Sequence, residues 1–525
     1  MKKNKGITLI ALVITIIILI ILAGVSISVL FNQDGIITKA KKAKEDYANA
    51  QNEEAKTIGT LINSIDGNIN EETGSTSSEL KDWEYTTTND GKIILSKCIG
   101  TNPEVIVKEK YKVNDKQYST VMKKTNYSVT TIVGGPFINN TIIEKVIFEN
   151  AVAYEENSME YAFYGCEKLR EINIIPIDVT NMKCTFYNCT SLKNIPSLPN
   201  NVTNLEAAFG YTKITESPKI PEGVTNLNST FAYTPIIESP TIPSSVKNMN
   251  YTFKDCTSLK NITNIPEGVE SMQYTFSNCA LLSVAPKLPS TVTNISGIFQ
   301  GWKLMTTAPT IPNSVIKMND TFSGCIALKS APKLPENLVE MYSCFLECKL
   351  LTTAPEIPNT VNNMDGTFQG CTALTVAPKL PDSLQEMQKC FYNCTSLTTP
   401  PEIPSNVITM NEAFASCTSL TTAPAIPSKV TQMEKTFERC SKLTTAPEIP
   451  SNVNNMKGTF AGCNNLKGTI VIKSSIVSSA DLIVSGTYGY GKDATYLTIK
   501  TPGKDTTTYK TISKEAYAGQ YFTVE

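Results

Sequence analysis

The chain has no histidine among its 525 residues, and only two tryptophans. Without an imidazole, Ser-His-Asp triads, Cys-His dyads and histidine metal sites are excluded. It also lacks a glycine-rich phosphate loop and a Cys-x-x-Cys pair, and nothing in its pattern singles out two carboxylates. We therefore predict no catalytic residue, no metal and no cofactor.

A charge excess of either sign is missing as well. Lys plus Arg total 47 and Asp plus Glu total 48, so the formal charge is −1. Such a balance predicts no nucleic-acid partner, because nucleic-acid binding needs a basic surface. At 525 residues with 41% hydrophobic content, the chain is folded but too long for one compact core, which seldom exceeds about 250–300 residues.

The body of the chain is one repeat used fourteen times. Phenylalanine recurs from 163 to 460 at intervals of 23 residues, except two of 22. The unit reads Val-x-x-Met-x-x-Thr-Phe-x-x-Cys-x-x-Leu-Thr-x-Ala-Pro-x-Ile/Leu-Pro. A period of 20–29 residues with constant apolar positions is typical of a solenoid whose coils bury their apolar positions by stacking.

Each part of the unit has its own expected conformation. We expect Leu-x-x-Ala to be extended and to pair in parallel with the next coil. The two prolines then end that strand, because they lack an amide donor. Val-x-x-Met is predicted as a second short extended segment, and Thr-Phe-x-x-Cys as a turn or one turn of helix. The fold class is therefore a mainly β repeat solenoid.

The frame Val-x-x-Met-x-x-x-Phe-x-x-Cys-x-x-Leu over 159–466 resembles the BspA-like leucine-rich-repeat surface proteins of bacteria. This resemblance implies a right-handed leucine-rich-repeat coil of about fourteen 22–23-residue repeats. It also implies a non-enzymatic role in adhesion. The expected partner is a protein or glycan on another cell or in the matrix. The first proline of Ala-Pro-x-Ile-Pro departs from many members, which leaves the strand length open.

Segments on both sides of the repeats are β-rich by pattern. Residues 83–158 contain the predicted strands KIILSKCIG and EVIVKEKYKV, and 467–525 contain GTIVIK and ATYLTIK. Since a solenoid needs atypical ends to cover its core, we interpret these segments as caps. A small separate β-domain is the alternative for either one.

The N-terminus carries a membrane signal, with no charge between residues 7 and 31. A helix of that length spans roughly 37 Å, enough to cross the hydrocarbon core. Residues 1–31 are thus a leader and transmembrane helix. Residues 32–66 are either a helical stalk or a solvated charged linker, and 67–82 form a flexible linker.

The segment KGITLIALV resembles the processing site of type IV prepilins and pseudopilins. The resemblance implies cleavage between Gly6 and Ile7 by a prepilin peptidase, methylation of the new N-terminus, and export. Residues 32–525 are then extracellular, anchored in the cytoplasmic membrane. The chain departs from that family at Ala11, where the family has the glutamate associated with filament assembly. A membrane-anchored binding protein and a minor pilin or pseudopilin in a filament are therefore the two alternatives.

Eleven of the fifteen cysteines lie three residues after a repeat phenylalanine. Either they form a disulfide or metal stack, or they form a buried ladder of small thiols. We favour the buried ladder, because Thr212, Thr234 and Trp302 replace cysteine in three coils. The predicted structural ladder includes Phe163, Phe186, Phe276, Phe322, Phe368, Phe437, Cys166, Cys189, Cys279, Cys325, Cys371, Cys440 and Leu443. Cys98, Cys184, Cys344 and Cys390 lie off this ladder.

The residue between the two prolines is polar in most coils and alternates in charge. It is expected to form one row on the stacked coils, here called the proline stripe, either a binding surface or a solubilising one. The stripe comprises Lys287, Thr310, Lys333, Glu356, Lys379, Glu402 and Glu448. Trp302 is added as a candidate ligand contact, with the filling of a local packing defect as its alternative.

Overall fold

The computed structural model describes residues 80–127, 132–133, 135–473, 497–500 and 522–524. The predicted membrane helix, the prepilin-like site at Gly6 and Ile7, the stalk and most of the linker lie outside these residues. Within the described ranges no helix is long and apolar enough to cross a membrane. The solenoid prediction is confirmed, because successive coils stack in parallel through the repeat region.

Hydrogen bonds between coils concentrate around the repeat phenylalanine. In one coil the amides of Met182, Cys184, Phe186 and Asn188 donate to carbonyls of the next coil at 2.8–3.0 Å. The amides of Thr185 and Tyr187 between them instead close tight turns on the carbonyl three positions earlier, as Thr185 does on Met182 at 3.1 Å. Every second amide of this segment therefore joins neighbouring coils, although the segment itself is built of turns.

Two positions in most coils adopt a left-handed backbone, the residues two before and two after the phenylalanine. Examples are Cys184 (φ 52°) and Asn188 (φ 62°), and the equivalent Gly366 (φ 59°) and Gly370 (φ 74°). A side chain at such a φ carries a steric cost of about 1–3 kcal/mol, which the packed stack must offset.

The parallel pairing lies elsewhere than the sequence predicts. A continuous row of bridges joins the residue before each methionine position, from Ser158 through Asn181 to Asn455. The Leu-x-x-Ala side, by contrast, is bridged between only some coils, for example at Ser330 with Thr353. The prediction of a strand there in each coil is wrong, because the Ala-Pro-x-Ile-Pro prolines remove the amides that a ladder needs.

Longer strands form where those prolines are absent. The segment before the repeats contains β1 Trp83–Thr87, β2 Lys92–Cys98, β3 Glu104–Val107, β4 Lys110–Val113, β5 Lys116–Met122, β6 Asn126–Tyr127, β7 Ile132–Val133, β8 Lys145–Phe148 and β9 Ala153–Tyr154, then a 3₁₀ turn Glu155–Asn157. The first coil adds β10 Glu171–Ile172. The order β1-β2-β5-β4, with β9 beside β5, forms one sheet, β10-β8-β3 forms a parallel sheet, and β6 pairs with β7.

At the other end, the parallel sheet is ordered β11-β12-β13. These strands are β11 Gly468–Val471, β12 Leu497–Lys500 and β13 Phe522–Val524. The segment before the repeats shares one hydrophobic core with the coils, running from Leu80 to Ile472. Phe137 stacks on Phe163 of the first coil with ring centroids 4.9 Å apart. This segment therefore covers the first coil directly.

Candidate functional site

The proline stripe lies on the exposed surface of the coils. Its predicted members are all solvent-exposed. Lys333, Glu356 and Lys379, on three successive coils, line a groove of about 820 Å³ whose floor is built of alanine, proline and leucine or isoleucine side chains. Short apolar residues beside the prolines leave the groove open, while the long charged side chains stand at its edge.

Charges of the stripe differ in whether they have a partner. Lys287 pairs with Glu267 at 3.1 Å, and Glu448 pairs with Lys473. Across residues 135–473, neither Lys333, Glu356 nor Lys379 has an ion-pair partner within 4 Å or a side-chain hydrogen bond. The middle of the stripe thus presents charges that only solvent satisfies.

The repeat phenylalanines and cysteines form two buried rows. From Phe322 to Phe460 successive rings stack 5.5–5.6 Å apart. The predicted ladder residues Phe163, Phe186, Phe276, Phe322, Phe368, Phe437, Cys166, Cys189, Cys279, Cys325, Cys371, Cys440 and Leu443 have no exposed surface. This packing supplies the apolar interior that each coil lacks alone.

All fifteen cysteines are free and buried. From Cys189 onward each ladder thiol donates to the repeat phenylalanine carbonyl of the preceding coil, as Cys371 Sγ does to Phe345 O at 3.1 Å. Cys166, in the first coil, donates to the Phe137 carbonyl of the segment before the repeats at 2.9 Å. Burial raises the pKa of Cys166 and of Cys463 to about 12. The ladder cysteines are therefore structural hydrogen-bond donors and poor nucleophiles.

The prediction that Trp302 contacts a ligand is wrong. It has 0% exposure, and its indole Nε1 donates to the Phe276 carbonyl at 2.8 Å, as the cysteine thiols do in other coils. Thr212 and Thr234 donate to the phenylalanine carbonyls of their own coils. The position three residues after each repeat phenylalanine therefore holds a buried hydrogen-bond donor. Trp302 fills the core and does not face a ligand.

Cys344 and Cys390 occupy a second donor row, immediately before the phenylalanine. Threonine holds this position in most coils, and Thr367 Oγ1 donates to the Met341 carbonyl of the preceding coil at 3.0 Å. These two of the four off-ladder cysteines thus replace threonine within the core. Across 80–127 and 135–473, no three cysteine, aspartate or glutamate side chains are placed to hold a metal.

A second groove, which shares no lining residue with the first, lies beside the left-handed positions. Its volume is about 480 Å³, and its lining includes Tyr342, Ser343, Asp365, Gly366 and Gln369. The rest of its polar lining includes Gln388, Lys389, Asn411, Glu412 and Glu434. Burial raises the pKa of Asp365. Sequence reasoning missed this groove; glycine in place of a side chain at 366 was the available signal.

Tyrosines form a further row on the first coils. Tyr164 and Tyr187 stack at 5.4 Å, Tyr211 and Tyr233 at 4.3 Å. The amine of Lys254 donates to the Tyr233 hydroxyl at 2.7 Å. Each of these rings therefore has one face covered by a neighbouring tyrosine, and the Lys254 amine lies 4.9 Å from the centroid of the Tyr233 ring.

Comparison with known proteins places these features in a family. The profile described as "BspA type Leucine rich repeat region" matches residues 116–230, 182–301, 227–331, 296–421 and 365–483. No curated protein gives a match.

Solved structures that are similar to this chain include two leucine-rich-repeat proteins. A leucine-rich repeat protein from Bacteroides ovatus is 23% identical, covering 80% of this chain and 98% of its own, with a TM-score of 0.49. A leucine rich cell surface protein from Faecalibacterium prausnitzii is 21% identical, covering 79% and 99%, with a TM-score of 0.39. The family profile matches well over half of the 525 residues, and the chain belongs to the BspA-type leucine-rich-repeat family.

Proposed function

We propose that this chain is a non-enzymatic cell-surface binding protein that presents its solenoid to ligands on host cells, matrix or neighbouring cells. The observation that carries the proposal is the groove of about 820 Å³ with the solvated charges of Lys333, Glu356 and Lys379. Membership in the BspA-type family supports a binding or adhesion role.

The proposed mode of binding follows from the geometry of this groove. The apolar floor of the groove would contact uncharged parts of a ligand. The charges of both signs at the groove's edge would fix the position of the ligand along the coils. Each exposed pair is worth only about 0.2–1 kcal/mol, so useful affinity requires several contacts along successive coils. A protein segment that carries both charge signs fits this arrangement.

Attachment to the cell belongs to the same proposal. Residues 7–31 would hold the chain in the cytoplasmic membrane after a prepilin peptidase cuts between Gly6 and Ile7, with 32–525 outside the cell. Support for this part comes from the uncharged run and the processing-site resemblance in the sequence.

The test uses the purified full chain on arrays of matrix proteins and glycans. We expect the double variant Lys333→Gln with Lys379→Gln to weaken binding of a captured ligand by at least tenfold. Lys287→Gln is the matched control, because that lysine lies in the same row but is already paired with Glu267. Unchanged binding by the double variant would remove the stripe from the proposal, and no captured ligand would overturn it.

A further inference from the structure

The second groove lies where a glycine interrupts a row of side chains. The position two before each phenylalanine carries Ser343, Gly366 and Lys389 on three successive coils. The atoms nearest to a Cβ added at Gly366 would be Ser343 Oγ at 3.1 Å and Gln369 Oε1 at 3.6 Å, with backbone no closer than the Ser343 Cα at 4.0 Å. We call this depression, with its lining residues, the Gly366 pit.

An equivalent glycine shows how the fold closes such a gap. At Gly297 the ring of Tyr274 lies so close that a Cβ would be 2.1 Å from its Cδ1. The Tyr274 hydroxyl then donates to Asp320 Oδ2 at 2.9 Å, across the glycine coil. No ring covers Gly366 in the described structure, so its space stays open.

The pit offers polar groups that the protein leaves unused. Across 135–473, the Ser343 hydroxyl, the Gln369 side-chain amide and the Asn411 Nδ2 make no hydrogen bond to protein. Beside them, Tyr342 is 40% exposed. Amide and hydroxyl groups can both donate and accept, which suits a ligand rich in hydroxyls.

The charged groups around the pit are mostly satisfied by protein. Lys389 pairs with Glu412 at 3.6 Å. Glu434 accepts a hydrogen bond from the Asn455 side chain at 3.2 Å, and Asp365 Oδ1 accepts the Gln388 amide at 2.7 Å. Three carboxylates and one lysine give the pit a net negative charge, so an anionic ligand would be repelled. Within the described residues, the groups left without a protein partner are the uncharged amides and the hydroxyl, and these favour a neutral ligand over a cation.

We infer that the Gly366 pit binds an uncharged sugar residue of a glycan, with Tyr342 as its aromatic wall. The volume of about 480 Å³ lies within the range of small-ligand pockets, roughly 300–1,000 Å³. The inference rests on the proposed binding function and names a ligand class and a second site for it. A hydroxyl-rich ring would use the free donors and acceptors, and its apolar face would pack on the tyrosine.

The test measures binding of neutral tetrasaccharides to the purified full chain by calorimetry. The panel contains cellotetraose, maltotetraose, mannotetraose, xylotetraose and chitotetraose, with tetragalacturonate and a chitosan oligomer as charged probes. We expect at least one neutral member to bind, and Gly366→Tyr to weaken it at least tenfold. Tyrosine is accepted at this left-handed position in other coils, at Tyr251 and Tyr274.

Two further variants separate binding from folding. Asp365→Asn keeps the acceptor for the Gln388 amide, as Asn319 and Asn411 do in equivalent positions, and should weaken binding severalfold. Ser229→Tyr places the same new ring at an equivalent position far from the pit and should leave affinity within twofold.

The outcomes distinguish this inference from the proposed function. No neutral binder, a preference for either charged probe, or full affinity in Gly366→Tyr would overturn the pit as a sugar site. Loss of sugar binding only in the Lys333→Gln, Lys379→Gln variant would move the site to the proline stripe and leave the proposed function standing. If the arrays capture a protein ligand but no sugar binds, the pit is overturned as a sugar site and the proposed function still stands.

Discussion

Restoring the repeat consensus at Trp302 should destabilise the protein. Cysteine holds this position in most coils, so consensus reasoning predicts that Trp302→Cys is neutral or stabilising. The structure predicts the opposite, because the indole is fully buried and its Nε1 donates to the Phe276 carbonyl. Core residues of the same coil also depart from the repeat, with Ile295, Ile298 and Met305 at the methionine, threonine and leucine positions.

The size of the effect follows from what the indole contacts. Burial of a tryptophan removes about 150–250 Å² from water, which at about 25 cal/mol per Å² gives roughly 4–6 kcal/mol as an upper bound. Two edge-to-face contacts, with Phe299 at 5.0 Å and Phe276 at 6.2 Å, are lost as well. A cysteine recovers part of the packing and the donor, so we expect a net loss of about 3 kcal/mol.

Hydrogen exchange is the suitable assay, because stacked coils open locally and global unfolding of a long array departs from two-state behaviour. Amides of coil 295–317 should exchange about 100-fold faster in Trp302→Cys, since each 1.4 kcal/mol is a factor of ten. Trp302→Phe keeps most of the volume but not the donor, and should lose about 1–2 kcal/mol. Equal or slower exchange in Trp302→Cys would refute the reasoning.

Three further predictions follow from the buried rows and the N-terminus. Cys344→Thr should change the local opening free energy of its coil by less than about 1 kcal/mol, because threonine is the usual residue at that position. Cys348→Ala removes a donor to the Phe322 carbonyl and should cost about 1–3 kcal/mol; hydrogen exchange of the coil measures both changes, and equal losses would contradict the donor assignment. Because burial raises the pKa of Cys166 and Cys463 from 9.0 to about 12, the native state keeps these protons longer than the unfolded state, so stability should be full below pH 9 and fall as pH rises from 9 to 12; melts across that range test the sign, and a rise in stability would contradict it. N-terminal sequencing of the mature protein should find Ile7 first; an intact Met1 would contradict processing, and recovery of the chain in sheared filaments would favour the pilin alternative.

Much of the fold could be predicted because stacking makes the repeat period visible. Phe368 and Cys371 recur at a constant spacing, and any side chain that recurs so in a stacked coil must meet its equivalent in the next one. The proline stripe could be predicted for the same reason, since Lys333, Glu356 and Lys379 hold one position in successive units. A one-dimensional pattern suffices where each contact is between equivalent residues.

Errors arose where an unusual residue or backbone decided the outcome. The Leu-x-x-Ala strand shrinks to single bridges such as Ser330 with Thr353, because Pro332 and Pro355 have no amide that could extend the ladder. The turn segment around Phe345 carries the regular inter-coil bonds instead. The sequence predicts Trp302 as a candidate ligand contact because an indole is much larger than the thiol it replaces. In the fold its Nε1 matters more, because it donates to the Phe276 carbonyl as the ladder thiols donate to phenylalanine carbonyls.

The sequence alone, through its 22–23-residue period and the absence of histidine, determined a stacked coil without imidazole chemistry, with cysteines as spacing markers of its coils. That these cysteines are free thiols is a result of the structure. Tertiary structure alone decided which surface positions are open. Gly297 and Gly366 hold the same position in the repeat. Tyr274 reaches from its own coil over Gly297 to Asp320, whereas no side chain of the described residues covers Gly366 in this way. The physical reason is that an open space depends on which neighbouring side chain reaches across it, and that reach joins different coils.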